Sequence, residues 1–208
     1  MPKLILVTGF EAFNGFDINP SELLMRHIET TNYSTENIIV CAKTLSVEFL
    51  KCESEIQSLI RELNPSAIIS FGLGLYSEIL CVEQKAKNID IGSDNAGNIR
   101  NGEYIIEHGP DFYLSTLPID DIVATAKKMG IPAKKSDDAG AYVCNHLFYY
   151  TSHIAFTLKS FINGFIHIPP LIDDAVKHNI EIDGCTFHDI IKAFEVVLKV
   201  VRHHIDEK

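Results

Sequence analysis

This chain has little positive charge to offer a polyanion. Its 18 lysines and arginines stand against 28 aspartates and glutamates, a formal net charge of −10 with histidine neutral. No basic arm or stripe offsets phosphate repulsion, which argues against nucleic acid as a partner. Solubility is the simplest reading of the acidic excess. Long apolar runs are missing too: the longest, such as 196–201, fall far short of a bilayer, so no membrane partner is expected. No charged segment followed by an apolar one opens the sequence, because 4–7 runs straight into a turn. The cysteines at 41, 52, 81, 144 and 185 are odd in number and form no CxxC pair. Reduced thiols in a cytoplasmic protein are therefore expected. A dinucleotide glycine fingerprint and a phosphate-binding Gly-Lys-Ser/Thr are both absent, and no metal-ligand spacing is visible, so neither cofactor nor metal is expected.

The 208 residues are 46% hydrophobic, enough to bury the core of one domain spanning 1–208. No repeat, low-complexity tract or linker divides them. Strands are predicted at 4–8, 38–42, 67–71, 80–86 and 161–168. Helices are predicted from Pro20, over 49–63, 119–129 and 143–158, and from Thr186 onward. Residues 87–113, with four glycines and little periodicity, read as a functional loop or a pair of short hairpins. Strands alternating with amphipathic helices give a single-domain α/β/α sandwich around a mixed, largely parallel sheet.

Two segments carry the chemistry. In AGAYVCNHLFYYTSH (139–153), Cys144 follows a small, flexible stretch and heads an apolar helix. Unpaired N–H groups at a helix start would favour its thiolate and could later hold an oxyanion. Cysteines are usually small core residues, and Cys41, Cys52 and Cys81 fit that role by their apolar neighbours. Cys185, after Gly184 and near a helix start, is a rival on local geometry. In FINGFIHIPPL (161–171), His167 alternates with Ile166 and Ile168 before Pro169 and Pro170 end the strand. It reads either as a structural imidazole or as the base for a thiol. His146 competes for that role, but two residues along a helix turns it about 200° from Cys144. Glu83, among apolar strand residues, reads either as an edge charge facing water or as the group that orients the imidazole. A metal site built from Cys144, His146 and His167 lacks the ligand-pair spacing of structural zinc. In the loop after the first strand, Phe10, Phe13 and Phe16 suggest an apolar pocket wall where α/β proteins bind ligands.

Taken together, TGFEAFNGFDINPS (8–21), CVEQKAKNID (81–90), AGAYVCNHLFY (139–149) and GFIHIPPL (164–171) resemble the pyroglutamyl peptidase I family, in its order and approximate spacing. The resemblance implies removal of N-terminal pyroglutamate from peptides by Cys144 as nucleophile, His167 as general base and acid, and Glu83 as orienting carboxylate. It implies Phe10 and Phe13 as aromatic hosts of the pyrrolidone ring, with Phe16, Leu73 and Val143 completing the expected substrate shell. It further implies a cytosolic homo-oligomer, dimer or tetramer, that needs no metal. Departures fall at Ala12, Asn14, Gln84, Leu73 and Ser93, the last two where the family writes a glutamine and an arginine. A lost buried polar contact costs about 1–3 kcal/mol. A triad acting on another N-terminal cap, and a non-catalytic binding homologue, are the two alternative readings.

Overall fold

A computed structural model describes every residue except Met1, Asn14, Ser77 and Lys208. In chain order its elements are β1 (Lys3–Phe10), α1 (Pro20–Thr30), β2 (Ile38–Leu45), α2 (Phe49–Leu63), β3 (Ala67–Leu73), β4 (Leu80–Glu83), β5 (Lys85–Lys87), β6 (Asp90–Ser93), β7 (Ile99–Glu103) and β8 (Phe112–Leu114). There follow α3 (Ile119–Lys128), β9 (Ala133–Ser136), α4 (Val143–Leu158), β10 (Ile162–Ile168), α5 (Ile172–Lys177) and α6 (Phe187–Asp206). Six strands form the central sheet in the order β2-β1-β3-β10-β4-β9. The first four run parallel; β4 is antiparallel to β10, and β9 parallel to β4.

Strand alternation feeds two cores. Ile5, Val7, Ile69, Phe71, Ile166 and Ile168 pack with the apolar stripes of α1, α3 and α6. Leu6, Phe10, Ile68 and Phe165 pack on the other face with α2 and α4. Helix boundaries follow local chemistry. Asn19 caps α1 through Ser21 N–H, with Pro20 in the first turn where its missing donor costs nothing. Asn64 ends α2 in the left-handed conformation, at φ 44°, with Pro65 behind it. Thr186 and Asp189 close a reciprocal capping box on α6.

Three departures from the sequence expectation bear on the site. The strand expected over 80–86 is two: β4 stays in the main sheet, and after Gln84 the chain leaves to pair as β5 with β8. Because β4 lies between β10 and β9, Glu83 is an interior residue with no exposure and does not face water from an edge. β9, four residues with two lysines, and α5, six residues, are too short to show a period; β9 forms a sheet edge of the kind lysine protects. Residues 87–113 hold the β6–β7 hairpin and the β8 partner of β5.

Candidate active site

The site is set by the register of β10. His167 lies opposite Gly72 of β3 on one side and Cys81 of β4 on the other, while Phe165 lies opposite Glu83. Pleating sends Phe165, His167, Glu83 and Gly72 to the face covered by α4. Glu83 therefore meets His167 on the diagonal, its Oε1 2.7 Å from Nδ1. With Nδ1 engaged by Glu83, Nε2 is the ring atom left to face Cys144, which is near enough to raise the imidazole's pKa. Both His167 and Glu83 are buried, whereas Cys144 is half-exposed.

Cys144 is the second residue of α4. Tyr142 provides no side-chain cap, and the first helical bond runs from His146 N–H to Tyr142 O. The N–H groups of Val143, Cys144 and Asn145 precede that bond, so they point out of the helix beside the sulfur. The thiol reaches the sheet only because residue 72 is glycine. A Cβ there would stand 2.9 Å from Cys144 Sγ and 2.8 Å from Phe165 Cζ. The Phe165 ring in turn backs His167, centroids 4.9 Å apart.

Burial alone would push His167 down from its ordinary 6.5. The Cys144 thiol beside it and the Glu83 carboxylate that it hydrogen-bonds outweigh that and lift it to about 9. That places an imidazole with a raised pKa beside a thiol.

A recess of about 630 Å³, walled by the residue two before Cys144, is lined by Phe13, Tyr142 and the Ser93–Asn95 turn. The Phe13 and Tyr142 rings are 5.9 Å apart, and Tyr142 Oη donates to Ser93 O at 2.9 Å. Sequence reading missed Tyr142, although it stands two residues before the cysteine in AGAYVC. Phe16 stacks on His178 at 4.4 Å, next to Phe13. Phe10 is buried against Phe165, and Val143 is buried in the same core at the head of α4. Leu73 is not brought to the thiol: alternation sets it with Phe71 and not with Gly72, and it pairs with Ile168. Cys185 lies apart, buried near α6 in the opposite core.

The turn that walls this recess is tied to the cysteine helix by the two residues after Cys144. Asn145 accepts from Lys87 N–H and donates to Lys87 O and Ile89 O. His146 Nδ1 bonds buried Asp90 at 2.8 Å, and its Nε2 stands 3.4 Å from Glu53, an ion-pair distance without hydrogen-bond alignment. Burial opposes its protonation, but Asp90 and Glu53 raise its pKa overall. Among the described residues no group of three or more His, Cys, Asp or Glu is arranged to hold a metal ion.

A cysteine at an open helix start, paired with a carboxylate-anchored histidine on an α/β sandwich, defines a thiol hydrolase. The family model for pyroglutamyl peptidase matches residues 3–204, and the chain belongs to that family of cysteine peptidases, which remove N-terminal pyroglutamate from peptides. It is 35% identical over 204 residues to a pyrrolidone-carboxylate peptidase of Vibrio parahaemolyticus, covering 97% of this chain and 94% of that one. It is 38% identical over 198 residues to that of Oceanobacillus iheyensis, covering 94% and 98%. Its fold superposes on the crystal structure of pyroglutamyl peptidase I from Bacillus amyloliquefaciens with a TM-score of 0.91 at 30% identity, covering 99% and 97%. On the pyrrolidone carboxyl peptidase of Thermococcus litoralis the TM-score is 0.92 at 31% identity, covering 99% and 96%.

Two outcomes are expected of this geometry. Gly72→Ala should lower kcat/KM by about 100-fold while the chain still folds, because displacing the sulfur by a fraction of an ångström spoils its alignment; unchanged kcat/KM would contradict the close approach. The raised His167 pKa stabilises the fold fully below pH 6.5, and that contribution is lost as pH rises through about 9. Denaturant unfolding should therefore show wild type losing up to about 3 kcal/mol relative to His167→Gln between those limits; a constant difference would contradict the shift.

Proposed function

We propose that Cys144, His167 and Glu83 carry out the family's reaction in this chain. The observation that carries the reading is the Glu83–His167 bond at 2.7 Å, which aims the free side of the imidazole at the thiol. The proton shared by Cys144 and His167 already rests on the imidazole in the free protein, and the sulfur attacks the carbonyl that joins pyroglutamate to the next residue. The oxyanion of the tetrahedral intermediate rests on N–H groups of the first turn of α4. The C–N bond then breaks as His167 returns its proton to the leaving amine. Water, deprotonated by the same imidazole, attacks the thioester; pyroglutamate leaves and the thiol re-forms. Each proton shuttles through one ring nitrogen while Glu83 holds the other.

The recess between Phe13 and Tyr142 suits a flat, uncharged lactam, with Phe10, Phe16 and Val143 as its apolar backing. With Leu73 turned away, polar contacts to the ring fall to backbone groups of the 93–95 turn. The substrates are peptides that begin with pyroglutamate.

We also infer that the protein self-associates as a dimer or tetramer in the cytoplasm. Phe112, Leu114 and Phe156 are exposed around an apolar groove of about 570 Å³ whose lining does not include Cys144, a surface that a second copy of the chain would cover. All five cysteines are free thiols, as a reducing compartment keeps them.

Release of a fluorophore from a pyroglutamyl amide tests the reading. Wild type should turn it over and Cys144→Ala should be slower by at least about 10⁴-fold. Equal rates would remove Cys144 as nucleophile. Turnover of other aminoacyl amides with none of the pyroglutamyl amide would replace the acyl group but keep the triad.

A further inference from the structure

A second cavity, of about 690 Å³, opens at His167 between the loop after β3 and the β9–α4 connection. We propose that it is the subsite for the residue that follows pyroglutamate, with Tyr76 as its fixed aromatic surface, and that it favours apolar and aromatic side chains there. The proposal rests on the pyroglutamyl reading and extends it to the leaving half of the substrate.

The chemistry fixes the location. His167 must protonate the departing amine, so the first residue of the leaving peptide has to lie within reach of its ring. His167 lines this cavity, together with Leu75 and Tyr76. The acyl recess around Phe13 and Tyr142 is lined by other residues.

Tyr76 is held in place from several directions. Its ring centroid is 5.8 Å from that of His167, and its hydroxyl donates to Asp138 O at 3.2 Å. The Lys134 ammonium sits 4.7 Å from the ring centroid and is itself fixed by Glu78 at 2.8 Å. Gly74 lets both rings approach the backbone, since a Cβ there would fall 2.8 Å from His167 Cβ and 2.9 Å from Tyr76 Cδ2. Burial, with Glu83 and Cys81 nearby, pushes the phenol up to about 12, so it stays neutral. A pre-positioned neutral ring costs little to order when a side chain stacks on it.

Charge gives the cavity no competing preference. Lys134 is paired with Glu78, Lys135 with Asp120 and Asp138 with Lys87, each at 2.8 Å. An acidic or basic side chain entering here would have to break one of those pairs or remain unpartnered. Leu75, 63% exposed beside Tyr76, adds apolar surface instead.

The test is a panel of pyroglutamyl dipeptide amides with Phe, Leu, Ala, Asp or Lys in the second position, read as kcat/KM. Phe and Leu should exceed Ala by roughly five- to tenfold, and Asp and Lys should not exceed it. In Tyr76→Ala the Phe-to-Ala ratio should collapse toward one, while Tyr76→Phe should keep it. A wild-type ratio of one, a preference for Asp or Lys, or a ratio that survives Tyr76→Ala would overturn the subsite. Equal turnover of all five amides would overturn the subsite alone. Failure to turn over any of them would overturn the pyroglutamyl reading and the subsite with it.

Discussion

The bond between Glu83 and His167 is the constraint on which the site depends. A carboxylate with no exposure, in the middle of a sheet, is costly unless a cation or a set of donors meets it. Here one imidazole, on the neighbouring antiparallel strand and one diagonal away, answers it. That demand fixes the ring's orientation and favours its protonated form. If β4 lay at the sheet edge, the carboxylate would meet water and the ring would be free to turn. The interior place of β4, between β10 and β9, is thus what shields the pair.

The second partner comes from another layer. Helix α4 brings Cys144 down onto the sheet at the one position, Gly72, where no side chain stands in the way. The residues after the cysteine look the other way along the helix: Asn145 and His146 hold the start of the 87–103 excursion, whose Ser93–Asn95 turn walls the recess at Phe13 and Tyr142. In the proposed mechanism one helical turn therefore places the nucleophile, presents the oxyanion donors and anchors the pocket wall. Movement of α4 would disturb all three together.

Much of this was legible in the sequence because the relevant signals are local. Cys144 heads an apolar helix after small residues, His167 ends a strand before two prolines, and both halves of the sandwich carry clear periods. The sense of Glu83 was open, since a lone carboxylate in a strand looks the same at an edge and in the interior; only strand order decides between them. Gly72, Asp90 and Tyr76 were silent because their roles arise from contacts across the fold: a close approach, a buried ion pair and a cavity wall. Leu73 illustrates the converse. The alternation that separates it from the recess is simple, but it needs the register of β3, and a motif does not supply that.

The most direct test of the paired-ion account is the titration of His167 followed by ¹⁵N NMR of its imidazole in the free protein. The ring should stay protonated through neutral pH and lose its proton near 9, with Nδ1 remaining hydrogen-bonded to Glu83 throughout. A ring that titrates at its ordinary 6.5, or that shows no hydrogen bond at Nδ1, would contradict it.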